Sequence, residues 1–261
     1  MKLHRFNALM LKYYYITINR YDRIFDLVYW PLLDVVIWGL TSHYIEEISQ
    51  VNLLSMLLGG VILWVFLWRS SQDIAVFVLE DFWSRNLYHL FSSPVKISEH
   101  VLSILILGFL RSSVSFLVLA VFASLLYHFN VFTLPLLFLA VGIGLLSLFG
   151  WAMGMFVTGM IFRFGKRIQV LAWSVAWIVQ PFSCIFYTLD SLPAWAAAVA
   201  KINPLTYVFE NLRSALYQGF VNYQQLFFAF IAIVVLLVFS TWFLFKSFER
   251  ARITGLLAKS D

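Results

Sequence analysis

Six apolar runs, each about long enough to cross a lipid bilayer, dominate this sequence. A membrane-spanning helix needs about 20 mostly apolar residues, and the runs lie at 24–43, 52–70, 101–127, 133–160, 168–188 and 225–246. Charged residues are only 12% of the chain, and hydrophobic residues are 62%. A soluble fold of this length cannot bury so much apolar surface. The sequence therefore predicts an all-α membrane protein with six transmembrane helices in one domain, residues 1–261.

The basic residues are distributed unequally between the two sides of the predicted membrane. Fifteen of the 18 lie at the chain ends or beside the loops after the second and fourth runs, Lys201 and Arg213 lie opposite, and Arg111 lies inside a run. Cytoplasmic loops are enriched in Lys and Arg, so both termini are predicted to be cytoplasmic. This asymmetry accounts for the net charge of +5, and we expect no nucleic-acid partner. The fifteen are Lys2, Arg5, Lys12, Arg20, Arg23, Arg69, Arg85, Lys96, Arg163, Lys166, Arg167, Lys246, Arg250, Arg252 and Lys259.

Residues 1–23 are too charged to cross the bilayer. They mix apolar, aromatic and basic residues at near-helical spacing. Such a helix lies in the cytoplasmic interface, in contact with lipid headgroups. A frayed tail is the alternative interpretation.

The loop at 71–100 has an apolar face at helical spacing within a polar segment. Phe82, Trp83, Leu87 and Leu90 belong to this face, and Pro94 predicts the end of one helix and the start of another beyond it. An amphipathic helix joined to two spans can dock its apolar face into a groove of a cytoplasmic partner. The alternative is that it packs only on its own bundle.

Residues 189–220 contain two short helical segments on the predicted external side. Pro193 begins the first, Pro204 separates the two, and Gly219 ends the second. Each segment is too short to cross the membrane, which predicts a re-entrant hairpin that packs against the bundle. Glu210 and Arg213 are three residues apart and can pair; a solvated external face is the alternative.

Two charges fall near the middle of predicted spans, Asp34 in the first and Arg111 in the third. An unpaired charge there costs at least about 2.5–3.5 kcal/mol. We therefore expect an Asp34–Arg111 ion pair, the alternative being that each meets water or backbone separately. The histidines are scattered and Cys184 is the only cysteine, so we expect neither a metal site nor a catalytic site.

Two stretches resemble the membrane subunits of ABC-2 type (type V) exporters. The first is LED…NLYHLFSSPVKISEHV, and the second is LPAWAAAVAKINPLTYVFENLRSALYQG. The resemblance implies that the first contacts an ATPase and that the second forms the external hairpin. The implied coupling residues are Glu80, Trp83, Leu87, Leu90, Pro94 and Glu99. The implied hairpin residues are Pro193, Trp195, Asn203, Pro204, Tyr207, Glu210, Arg213 and Gly219.

The resemblance further implies a homodimer, a separate ABC ATPase subunit and a bacterial cytoplasmic (inner) membrane location. The sequence has no G-x-x-x-x-G-K-[ST] motif, so we expect this chain to bind no cofactor, and ATP and Mg²⁺ to lie on the partner. The expected role is outward transport of an amphipathic cargo: a lipid, a lipid-linked glycan or a drug-like molecule.

Two other functions remain open. A channel or secondary transporter would need no ATPase, but it favours repeated halves, which this sequence lacks. A lipid-modifying membrane enzyme would need clustered catalytic carboxylates or histidines, and no such cluster is evident.

Overall fold

The computed structural model describes residues 3–49 and 53–255 of the chain. The predicted cytoplasmic residues Lys2 and Lys259 lie outside these ranges. Ten α-helices occur in the described part, with short 3-10 turns between some of them. They are α1 (Leu3–Ile18), α2 (Tyr21–Ser49), α3 (Leu54–Trp83), α4 (Asn86–Ser92), α5 (Ile97–Tyr127), α6 (Leu136–Phe164), α7 (Leu171–Val179), α8 (Ala194–Ile202), α9 (Pro204–Gln218) and α10 (Tyr223–Ile253).

Five of these helices, α2, α3, α5, α6 and α10, are long and apolar enough to cross a membrane. The prediction of an all-α membrane protein is thereby confirmed. Helix α3 lies at the centre, and α2, α5, α6 and α7 pack around it. Close packing of α6 on α3 depends on small residues: a Cβ at Gly150 would lie 2.7 Å from the Leu67 carbonyl, and one at Gly154 would lie 2.7 Å from that of Ser71.

The fifth predicted span, 168–188, is not one long helix. Helix α7 has nine residues, and a 3-10 turn at Gln180–Phe182 follows it. Pro181 has no backbone N–H to continue the helix, and Cys184 has a φ of 52°, which turns the chain. This segment nevertheless extends along α3. Gln169 accepts a hydrogen bond from Trp83 Nε1 near one end of α3, and Ile185 contacts Gly60 near the other.

Helix α1 corresponds to the predicted helix within residues 1–23. It packs mainly on α5, with Leu9 and Tyr13 buried in a hydrophobic cluster. The helix is therefore folded onto the bundle rather than frayed. Its location at a membrane surface stays a prediction.

The segment predicted to couple to a partner is divided between three helices. Helix α3 continues past residue 70 to Trp83. Arg85, with a φ of 56°, separates it from the seven residues of α4. Pro94 follows α4, and α5 begins at Ile97, which agrees with the predicted helix break. Residues up to Trp83 thus belong to a long helix rather than to a separate amphipathic one.

The predicted hairpin corresponds to α8 and α9. Pro193 precedes α8, Pro204 is the first residue of α9, and Gly219, with a φ of 66°, ends α9 in the left-handed conformation that glycine adopts readily. Helix α9 contacts α3, α6 and α10. Whether the hairpin enters a membrane leaflet stays a prediction.

Candidate functional site

Arg111 is buried near the middle of α5 and pairs with Asp73 of α3, with 2.6 Å between Nη1 and Oδ1. Its Nη2 lies 3.6 Å from Oδ2 of Asp26 on α2. The expected Asp34–Arg111 pair is therefore wrong. Asp34 lies eight residues, or about 12 Å, further along α2 than Asp26. The guanidinium group instead meets the carboxylates of Asp26 and Asp73.

A second buried arginine completes this charge cluster. Arg69 Nη1 donates to Asp26 Oδ2 at 2.7 Å, and Nη2 donates to the Asp26 carbonyl at 2.6 Å. The cluster (Asp26, Arg69, Asp73 and Arg111) joins α2, α3 and α5 and has two charges of each sign. Removing one member of a buried pair leaves an uncompensated charge and costs about 3–5 kcal/mol.

A further set of contacts surrounds the C-terminal end of α3. Glu80, expected to contact the ATPase, pairs with Arg20 at 3.3 Å and with Arg23. Asp81 accepts from Lys12 and from Asn86 Nδ2, each at 2.8 Å. Both carboxylates thus bind residues of this chain.

Helix α1 is joined to α5 at the same end. The Tyr13 hydroxyl lies 2.8 Å from His100 Nδ1. Burial, with the nearby Asp81 charge as a smaller cause, raises the pKa of Tyr13 well above its usual value. The phenol therefore stays protonated and shares a hydrogen bond with His100 Nδ1.

The remaining predicted coupling residues differ in accessibility. Leu87 is buried, Leu90 is half-buried, and buried Glu99 accepts from the Lys96 backbone N–H at the start of α5. Leu87 and Glu99 therefore have internal roles.

Trp83 and Pro94 are exposed. Trp83 stacks on Trp173, and the Pro94 carbonyl accepts a hydrogen bond from Arg5. Arg85, Tyr88 and His89, which were not among the predicted coupling residues, are also exposed around α4.

A groove lies between α2, α3 and α7 and consists of two adjoining cavities of about 350 and 530 Å³. The two cavities adjoin, since both are lined by Asp26, Trp30, Gln72 and Trp173. The smaller extends toward the end of α3. The larger extends toward the middle of α2. Additional residues of the smaller are Asp22, Arg23, Phe25, Asp73, Val76, Glu80 and Trp83, and those of the larger are Leu33, Asp34, Ile37, Trp68 and Trp177.

The hairpin residues hold the irregular segment that follows α7. Asn203 Nδ2 donates to the Phe182 carbonyl at 2.9 Å, and its Oδ1 accepts from the Leu205 backbone N–H at 3.1 Å. Thr206 Oγ1 donates to the Ala200 carbonyl at 2.7 Å. Asn203 thus caps α9 and fixes the turn before it.

Arg213 and Glu210 act on the same segment. Their side chains form an ion pair at 2.6 Å, which confirms the predicted pairing. Arg213 Nη2 donates to the Tyr187 carbonyl at 2.7 Å and to the Cys184 carbonyl, and Glu210 Oε1 accepts from the Leu189 N–H at 2.9 Å. The pair therefore satisfies backbone groups that are outside any helix.

The other predicted hairpin residues occupy the surface of α8 and α9. Tyr207 donates to the Lys201 carbonyl at 2.8 Å. Trp195 is exposed, and its ring meets Phe182 edge-on with 6.2 Å between centroids. Tyr207 and Trp195 thus pack at the surface of the hairpin rather than in the core.

The partners of the buried charges were not predicted from the sequence. Asp26, Asp73 and Arg69 lie near the ends of apolar runs or beyond them, where a charged residue does not by itself indicate a buried pair. The spacing of Arg69 and Asp73 could have indicated a charge cluster, because the two residues are four apart on α3 and share one face.

Comparison with protein-family models gave a match to the ABC-2 type transporter model over residues 11–217. The match includes the first motif region, the second up to residue 217, the charge cluster and the groove. A comparison with curated proteins gave no match.

Proposed function

The chain belongs to the ABC-2 type transporter family, and on that premise we propose that this permease is the membrane subunit of an ATP-driven exporter. It moves an amphipathic cargo outward, toward the side of the α8–α9 hairpin. A second copy of the chain and a separate ABC ATPase complete the working unit. The proposed location is a bacterial inner membrane, and the distribution of basic residues favours a cytoplasmic position for both termini and α4.

The groove between α2, α3 and α7 supports transport of an amphipathic cargo most directly. Its walls combine indole rings with carboxylate and amide groups. Aromatic surface accommodates the apolar part of a ligand, and a few polar groups fix its orientation. The groove runs from the C-terminal end of α3 toward the middle of α2, as a path through the permease requires.

A sixth crossing, made by the segment that contains α7, is consistent with the same geometry. Its contact points on α3, Trp83 and Gly60, are 23 residues apart, or about 35 Å along the helix. This distance exceeds the roughly 30 Å of a bilayer core. The hairpin side chains Asn203 and Arg213 satisfy carbonyls where the segment is not helical, which is the condition for irregular backbone at membrane depth.

The ATPase is proposed to dock on the exposed surface around α4. Arg85, Tyr88 and His89 provide accessible polar and aromatic groups there. Helix α4 is held by buried Leu87, by the Asn86–Asp81 hydrogen bond and by its connections to α3 and α5. A partner that moves α4 therefore also moves these two long helices.

Purification of the permease with its cognate ABC ATPase provides the test. We expect a stable complex whose ATP hydrolysis is stimulated by cargo after reconstitution. A double variant, Tyr88→Ala with His89→Ala, is expected to weaken the complex, whereas Trp195→Ala, at an exposed site on the hairpin, is not. Transport that continues with a catalytically inactive ATPase would contradict the proposal and favour a channel or secondary transporter.

A further inference from the structure

The charges around the groove balance with one exception. Four of its carboxylates have arginine partners: Asp22 with Arg20, Glu80 with Arg20 and Arg23, Asp26 with Arg69, and Asp73 with Arg111. These four acidic and four basic side chains sum to zero. Asp34 is the fifth carboxylate, and no cation of the described residues lies within ion-pair distance of it.

Asp34 faces the larger cavity from a half-buried position near the middle of α2. Four tryptophans line this cavity with it: Trp30 and Trp68 from α2 and α3, and Trp173 and Trp177 from α7. One side of Trp68 is occupied, because the Arg69 guanidinium lies 5.0 Å from its ring centroid. The other three tryptophans are exposed, with Trp30 at 54% and Trp177 at 51%, so the cavity is accessible from outside the bundle.

We propose that the cavity around Asp34 binds a hydrophobic organic monocation, an amine or a quaternary ammonium or phosphonium ion. This inference rests on the proposed function and specifies the class of cargo. Asp34 supplies the counter-charge, and the indole rings supply cation–π contacts and apolar surface. Tryptophan is the aromatic side chain that attracts cations most strongly, and quaternary ammonium groups are bound in aromatic cages in this way.

The charge balance distinguishes this occupant from the other cargo classes. A neutral glycan headgroup would stack on the rings but leave the Asp34 charge uncompensated, which is costly at membrane depth. An anionic lipid headgroup would be repelled by the same charge. The amide of Gln72 adds a polar contact, since its Oε1 is buried and has no hydrogen-bond partner among the described residues.

Equilibrium binding of radiolabelled tetraphenylphosphonium to the full-length permease in nanodiscs tests the proposal. Tetraphenylborate, which has the same shape and the opposite charge, is the matched control ligand. Empty nanodiscs correct for partitioning into lipid. We expect saturable binding of the cation and none of the anion.

Variants of the cavity give the decisive comparison. Asp34→Asn should weaken cation binding at least tenfold, because one unit charge is lost at contact distance in a medium of low dielectric. Asp34→Glu should stay within about threefold, and Trp177→Leu should weaken binding severalfold, whereas Trp177→Phe retains most of it. Asp190→Asn, which removes an exposed carboxylate outside the cavity, should change nothing.

Three outcomes would overturn the proposal: equal affinity of Asp34→Asn and the unchanged protein, equal binding of the two ions, or no saturable binding by monodisperse protein. Asp34→Glu separates loss of charge from loss of folding. Failure of this inference is distinguishable from failure of the proposed function. A permease that stimulates its ATPase but does not bind tetraphenylphosphonium contradicts only the cation site. One that binds the cation but still transports it with a catalytically inactive ATPase contradicts only the ATP-driven mechanism.

Discussion

The two motif-bearing parts of the chain outside the long helices, the α8–α9 hairpin and the segment around α4, use their motif residues differently. In the hairpin, Asn203, Glu210 and Arg213 bind backbone groups of residues 182–189. Around α4, Leu87 and Glu99 face inward, but Tyr88 and His89 remain exposed beside them. The hairpin is thus fixed to its own chain, whereas the α4 segment is anchored on one side and free to bind on the other.

Arg213 should show the largest effect on stability. Arg213→Ala removes a buried cation that binds Glu210 and two backbone carbonyls, so we expect the free energy of unfolding to fall by about 3–5 kcal/mol. Denaturant titration in detergent micelles measures this change. Arg213→Lys should recover part of it, and Lys201→Ala, an exposed basic residue on α8, should be neutral. A loss below about 1 kcal/mol would show that the hairpin does not depend on this residue.

The neighbours Leu87 and Tyr88 test whether the two sides of α4 have separate roles. Leu87→Ala leaves a cavity in a packed cluster and should cost about 2–5 kcal/mol. Tyr88→Ala should change the free energy of unfolding by less than about 0.5 kcal/mol but weaken binding of the ATPase, measured by co-purification. Equal stability losses for both variants, or unchanged ATPase binding by Tyr88→Ala, would remove the distinction.

Asn203 should give a smaller loss, which can be divided into parts. Asn203→Ala removes the cap of α9 and the hydrogen bond to the Phe182 carbonyl, at a cost of about 1–2 kcal/mol. Asn203→Asp keeps an acceptor for the Leu205 N–H but loses the donor. The free energy of unfolding of this variant should therefore lie between those of the unchanged protein and Asn203→Ala. An aspartate variant as unstable as the alanine variant would assign the whole effect to the hydrogen bonds that Nδ2 donates to the Phe182 carbonyl and Ser183 Oγ.

The sequence predicted the elements whose evidence is local. Apolar runs of bilayer length marked the five long helices, and Pro193, Pro204 and Gly219 marked the hairpin. The second run was assigned an end near residue 70 because polar residues follow it. Helix α3 continues to Trp83, since Asp73 pairs with Arg111 on α5 and Glu80 with arginines near the start of α2. The residues that neutralise these charges lie outside α3, so the apolar run itself does not indicate that the helix continues.

The candidate site was less predictable for the same reason. Depth along a helix placed Asp34 and Arg111 at similar levels, but depth does not specify which helix faces are in contact. Arg111 faces Asp73 and Asp26, and Asp34 faces the tryptophans of α7. The Glu210–Arg213 pair was predictable because both residues lie on one helix, where spacing alone determines proximity.

Helix α3 is long enough to connect the hairpin to the segment around α4. It is an unbroken α-helix of about 45 Å. Near its start, Met56 accepts a hydrogen bond from Arg213 of the hairpin. Near its end, Asp81 binds Lys12 and Asn86. A rigid rod of that length behaves as a lever. A tilt of about 5° imposed at the end beside α4 displaces the end beneath the hairpin by about 4 Å. Force applied at the α4 end can therefore reach the hairpin end without any intermediate helix changing its shape.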